Sequence, residues 1–94
     1  MHPLIEQHRA AIRAIAASRG IENVRVFGSM ARDDADTDSD IDLLVTLPPG
    51  RSGLALGGLL MDVQALTHRQ VDVVTEAGLH PALRERILRE AHPL

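Results

Sequence analysis

Apolar and polar residues alternate with two different periods along this chain, and each period predicts a different type of secondary structure. Between residues 3 and 19 apolar residues recur every three or four positions, which is typical of a helix face that covers a core. They are Leu4, Ile5, Ala11, Ile12, Ile15 and Ala16. Residues 24–27 alternate instead and are rich in strand formers, and Gly28 with Ser29 ends that strand. The first third of the chain therefore predicts a helix followed by a strand.

The rest of the chain continues this alternation of helices and strands. After a short helix opening at residues 30–32, a second strand is predicted over residues 40–47, a helix over 54–66 and a third strand over 70–75. Pro81 is well placed as the first residue of a last helix. This order predicts an α/β (α+β) fold, a small mixed β-sheet of about three strands flanked by helices.

Length and composition narrow the class of protein. The 94 residues predict one domain, residues 1–94, with a modest core. A net charge of −3 and a single aromatic residue, Phe27, argue against binding to extended nucleic acid, which calls for a basic surface. The chain has no cysteine and no long apolar segment near its start, so neither a disulfide, a signal peptide nor a membrane span is predicted. We expect a cytoplasmic protein that does not associate with membranes.

Two aspartates at the start of the second strand are the strongest chemical signal. Asp40 and Asp42 are one residue apart, so their side chains point to the same face of a strand. Two neighbouring carboxylates repel each other unless a cation lies between them, and Mg²⁺ or Mn²⁺ prefers such oxygen ligands. Asp72 is a single charge within the apolar third strand, and we expect it to supply a third carboxylate on the same face.

The other acidic residues nearby do not form a calcium loop. The aspartates within residues 33–38 are predicted to lie in a solvated loop. Counted from Asp34 or from Asp36, the sixth position is not glycine and the twelfth is not glutamate. Both frames of an EF-hand loop therefore fail.

The Gly28-Ser29 turn predicts a phosphate-binding site. In the plain interpretation Ser29 only caps the short helix that follows, and a capping box would then place Glu or Gln at residue 32. The residue there is Arg32. A cation in the first helical turn opposes the helix dipole unless an anion is bound at that end. Gly28, Ser29 and Arg32 are therefore expected to bind phosphate, although Ser29 could also serve as a cap.

Taken together, these motifs resemble a known signature. Residues 28–32, the Asp40 and Asp42 pair and the distant Asp72 resemble the nucleotidyltransferase signature of the DNA polymerase beta superfamily, and the small size resembles its minimal nucleotidyltransferases (MNT). The resemblance implies the nucleotidyltransferase fold and ATP as donor. It also implies Asp40, Asp42 and Asp72 as catalytic ligands of two Mg²⁺ ions, with Mn²⁺ as a substitute. Asp33 replaces the glycine that the family usually has, and Asp tolerates a positive φ better than most residues.

The resemblance also implies a partner. MNT proteins are often antitoxins that transfer AMP onto a tyrosine of a HEPN-domain ribonuclease toxin, so a HEPN toxin in a hetero-oligomer is the expected acceptor. One alternative is a non-catalytic antitoxin that neutralises the toxin by binding and occlusion. A transferase for small molecules is a weaker alternative, because it needs an acceptor pocket that 94 residues leave little room to build.

Overall fold

The computed structural model describes all 94 residues, and its helices and strands follow the predicted order. Helix α1 spans Pro3–Ser18, strand β1 Glu22–Phe27, helix α2 Ser29–Arg32 and strand β2 Ile41–Thr46. Helix α3 spans Leu54–Thr67, strand β3 Val71–Thr75, a 3-10 turn Glu76–Gly78, helix α4 Pro81–Glu90 and strand β4 His92–Pro93. The α/β (α+β) class predicted from the alternating pattern is confirmed.

The strands form one mixed sheet in the order β3-β2-β1-β4. Strand β1 is antiparallel to β2 and to β4, whereas β2 and β3 are parallel. The sequence predicted about three strands, and the fourth is the two-residue β4. Two residues are too short to show an alternating pattern, so β4 is defined only by its pairing with β1.

The core lies between one face of the sheet and helices α1 and α3. Ile41, Leu43 and Val45 of β2 are fully buried in a cluster that includes Ile12 of α1 and Leu59 of α3. Each such side chain contributes about 1.5–3 kcal/mol when it leaves water. A slip of one residue would turn these side chains out and bring Asp42 into the core. Packing of β2 therefore fixes the carboxylate of Asp42 on the opposite face.

Helix α4 lies on the surface of the molecule and ends close to the Gly28 turn. None of its residues is buried, and Leu83 is half exposed. Phe27 of β1 and Leu83 and Ile87 of α4 line a cavity of about 180 Å³ beside that turn. No helix in the structure has both the length and the apolar character needed to cross a membrane.

Candidate active site

The turn between β1 and α2 depends on glycine at residue 28. Gly28 has φ 71° and ψ −154°, in the region that favours glycine. A Cβ atom at this position would also collide with Oδ2 of Asp42. The backbone of the turn therefore lies directly against the carboxylate of β2, which places the predicted phosphate-binding and carboxylate groups side by side.

Helix α2 is not capped by a side chain at its N-terminus, and the residues that flank it are Gly28 and Asp33. Gly28 is the N-cap, and the Ser29 side chain makes no capping hydrogen bond, so the capping role considered for Ser29 is not found. At the other end, Asp33 has φ 62° and ψ 31°, the left-handed conformation. Aspartate is among the few residues that adopt it readily, which explains how Asp33 can stand where the family usually has glycine.

Asp42 lies at the centre of the predicted carboxylate group. It is paired with Phe27 of β1 on one side and with Asp72 of β3 on the other. Burial, followed by the charges of Asp72 and Asp40, raises its pKa from 3.8 to about 6, against the lowering effect of Arg32. At neutral pH the site therefore holds a half-buried carboxylate whose charge is poorly compensated.

The donor set suits a divalent cation in its chemistry. Asp42 lies within β2, Asp72 is exposed on β3, and Asp40 is exposed just before β2 begins. All three are oxygen donors at the sheet edge where β2 and β3 start, as Mg²⁺ prefers. As they stand, no three acidic or histidine side chains form a group that could hold a metal ion. Metal binding would therefore require side-chain rotation, which the exposure of Asp40 and Asp72 allows.

Arg32 is paired with two carboxylates. Its Nε lies 3.1 Å from Oδ2 of Asp34, and its Nη1 lies 2.5 Å from Oε1 of Glu90. The hydrogen bond to Asp34 raises the pKa of Arg32, so the guanidinium stays charged. The same Oε1 of Glu90 accepts a hydrogen bond of 2.9 Å from the backbone N–H of Gly28. Glu90 was not predicted as a site residue, since a glutamate on a charged surface helix gives no local signal.

The loop before Asp40 is tied in place by hydrogen bonds. The Asp36 carboxylate accepts hydrogen bonds from the backbone N–H of Asp38 and from the hydroxyl of Ser39, and both lower its pKa. Nη1 of Arg69 donates to the carbonyls of Asp36 and Ser39, at 3.0 and 3.1 Å. Arg69 thus holds the backbone next to Asp40. It was also missed, because its partners are 30 or more positions away.

The structure therefore gathers all six predicted site residues at one edge of the sheet. Gly28, Ser29 and Arg32 form the turn, and the three aspartates lie on and beside the neighbouring strands. The family model described as a nucleotidyltransferase domain matches residues 5–94. The chain belongs to this nucleotidyltransferase family.

Two relatives are similar over most of their length. A Methanocaldococcus jannaschii protein provisionally named protein adenylyltransferase MJ0435 is 37% identical over 87 residues, which cover 93% of this chain and 94% of that protein. The protein adenylyltransferase MntA of Thermococcus cleftensis is 35% identical over 71 residues, 76% of this chain and 72% of that protein.

Solved structures share the fold. One, provisionally described as a minimal nucleotidyltransferase, matches with a TM-score of 0.82 and 45% identity, covering 100% of this chain and 97% of the other. The complex of an MNT antitoxin with a tri-AMPylated HEPN toxin from Shewanella oneidensis matches with a TM-score of 0.70 and 16% identity, covering 94% of this chain and 69% of the other. The predicted nucleotidyltransferase fold and MNT resemblance are confirmed.

Proposed function

We propose that this protein is an Mg²⁺-dependent nucleotidyltransferase that transfers AMP from ATP to a hydroxyl, expected to be a tyrosine, of a HEPN-type toxin. The observation that carries the proposal is the half-buried carboxylate of Asp42, set against the Gly28 turn and in register with Asp72. The carboxylates of Asp42 and Asp72, side by side on neighbouring strands, repel each other, and a bound cation would remove that repulsion. The names of the two relatives, both protein adenylyltransferases, support the same activity.

Each predicted residue has a role in this reaction. Asp40, Asp42 and Asp72 would hold the Mg²⁺ ions, two being expected, which neutralise charge on the triphosphate and polarise the reacting phosphorus. The backbone N–H of Gly28, the free hydroxyl of Ser29 and the guanidinium of Arg32 would bind the phosphates. The toxin hydroxyl oxygen forms a bond to the α-phosphorus, the bond to the bridging oxygen breaks, and pyrophosphate leaves. Asp72 accepts the proton of the hydroxyl.

A partner protein would supply the acceptor. Leu54 and Met61 of α3 are 84% and 69% exposed, and Leu83 of α4 is 49% exposed. A bound partner protein would bury these side chains and remove their apolar surface from water. The similarity in fold to an antitoxin in complex with a HEPN toxin supports a hetero-oligomer of that kind.

Label transfer tests the proposal directly. The full chain is incubated with ATP labelled at the α-phosphate, Mg²⁺ and the HEPN protein from the same source, and the label is followed on the toxin. We expect transfer by the wild type and by Asp38→Ala, an exposed loop control, but not by Asp40→Ala or Asp42→Ala. ATP labelled at the γ-phosphate should leave the toxin unlabelled. Transfer that survives Asp42→Ala would rule out this active site.

Occlusion without catalysis is the alternative, and it would use the exposed apolar side chains of α3 and α4 as contacts with the toxin. It predicts that Asp42→Ala still neutralises the toxin, whereas Met61→Asp does not. Toxin activity measured with each variant, with and without ATP, separates the two. If ATP has no effect on neutralisation by the wild type, occlusion is the better description.

A further inference from the structure

Glu90 already binds the groups that the proposed function assigns to phosphate. Its Oε1 accepts hydrogen bonds from the N–H of Gly28 at 2.9 Å and from Nη1 of Arg32 at 2.5 Å. We propose that Glu90 is an internal competitor of the nucleotide, whose carboxylate must leave before a triphosphate can bind. This inference rests on the proposed function, because it takes Gly28 and Arg32 as phosphate-binding groups.

A carboxylate and a phosphate compete here because they need the same donors. Both are anions that accept from backbone N–H and guanidinium groups. A single oxygen of Glu90 takes up both the Gly28 N–H and Nη1 of Arg32. A phosphate oxygen that used this pair would have to occupy the position of Oε1. The two anions therefore exclude each other.

The molecule can release Glu90 without opening its core. Release needs only rotation of the Glu90 side chain, because no residue of helix α4, which ends at Glu90, is buried. Nε of Arg86 already lies 3.4 Å from Oε2 of Glu90 and remains available as its partner. Arg32 would pair with the phosphate in exchange. Because each charge keeps a partner of opposite sign, the competition should be moderate rather than absolute.

A purely structural role for Glu90 makes the opposite prediction. In that role the contact would fix the end of α4 to the turn and hold Gly28 and Arg32 ready for phosphate. Removal of the carboxylate would then weaken nucleotide binding. If Glu90 competes, removal strengthens it. The direction of the change therefore decides between the two roles.

The test compares three variants of the full chain. Glu90→Ala removes the competing group, and Glu90→Gln leaves a neutral and weaker acceptor of the same shape. Glu85→Gln is the control, since Glu85 is exposed on the same helix and its side chain makes no hydrogen bond or ion pair. Calorimetry measures the binding of inorganic tripolyphosphate and of α,β-methylene-ATP, both with Mg²⁺. The second probe cannot be cleaved at the bond that AMP transfer would break.

We expect Glu90→Ala to bind both probes about tenfold more tightly than the wild type, as when only one molecule in ten has the binding groups free. The affinity of Glu90→Gln should lie between those of the wild type and Glu90→Ala, and the affinity of Glu85→Gln should equal that of the wild type. Unchanged or weaker binding by Glu90→Ala and Glu90→Gln would overturn the proposal, as would equal tightening by Glu85→Gln. If Glu90→Ala melts at a much lower temperature, Glu90→Gln carries the test.

The same samples separate this inference from the proposed function. AMP transfer to the toxin is measured alongside binding for each variant. Tighter binding without transfer by any variant would support the competitor and reject the transferase. Transfer by the wild type with unchanged affinities in both Glu90 variants would do the reverse.

Discussion

Asp42→Asn should stabilise the metal-free protein at neutral pH while it removes the proposed activity. Burial, followed by the charges of Asp72 and Asp40, raises the pKa of Asp42 from 3.8 to about 6. A carboxylate with a raised pKa binds its proton more tightly in the folded state than in the unfolded state. Above both values, ionised Asp42 therefore destabilises the folded chain. Asparagine has nearly the same shape and carries no charge.

The size of the effect follows from the shift. A difference of about 2 pKa units corresponds to about 3 kcal/mol, and solvent screening of a half-exposed group reduces this to about 1–2 kcal/mol. For a 94-residue chain the entropy of unfolding is about 0.2 kcal/mol per degree. We therefore expect the melting temperature of Asp42→Asn to exceed that of the wild type by about 5–10 °C at about pH 7.5.

The pH dependence makes this prediction specific. Below about pH 4, Asp42 is protonated in both states, and the variant has no advantage. Between about pH 4 and 6 the unfolded wild type ionises first, so the wild type loses stability relative to the variant; above about pH 6 the difference is constant. Urea unfolding across this range measures it, with Asp38→Asn as the control for general charge reduction. A stability difference that is absent at neutral pH, is the same at every pH, or appears equally in Asp38→Asn would contradict this prediction.

Three further predictions concern the same edge of the sheet. Gly28→Ala should lower the free energy of unfolding by about 1–3 kcal/mol, because residue 28 has a positive φ and the added Cβ atom would collide with Asp42. Gly57→Ala should instead raise it by about 0.5–1 kcal/mol, since Gly57 lies within helix α3 and its added Cβ atom would meet no other atom. Thermal unfolding measures both. Mg²⁺ at millimolar concentration should raise the melting temperature of the wild type at neutral pH. It should not change the melting temperature of Asp42→Asn, or that of the wild type when a chelator is present in excess over Mg²⁺. Arg69→Met should leave the core intact but loosen the loop beside Asp40, so AMP transfer should fall about tenfold with a change in melting temperature of only a few degrees.

The elements that could be predicted from the sequence are those whose signals are local. The alternation of Ile41, Asp42 and Leu43 already indicates which face is buried, because one residue of register decides it. The spacing of Gly28 and the aspartates carries the site for the same reason. The pairing of β1 with β2 brings Gly28 next to Asp40 and Asp42, and the pairing of β2 with β3 adds Asp72.

Contacts between distant parts of the chain could not be predicted in this way. Glu90 is 62 positions from Gly28, and it sits on an exposed helix among other charges. Arg69 reaches loop carbonyls, and backbone acceptors leave no trace in residue type. The lack of a capping hydrogen bond from Ser29 likewise depends on the backbone angles of Gly28, which the amino-acid sequence does not specify.

The electrostatics of the site link its two halves. Burial is the main cause of the raised pKa of Asp42, and the neighbouring negative charges, including that of Glu90, raise it as well. The nearby cation, Arg32, is already shared between Asp34 and Glu90. A cation bound by the aspartates would offset the repulsion between their carboxylates. A phosphate that displaced Glu90 would move one carboxylate away but would bring its own negative charges. A bound cation offsets the added charge of a triphosphate, so bound metal should strengthen nucleotide binding, and bound nucleotide should strengthen metal binding by the same factor.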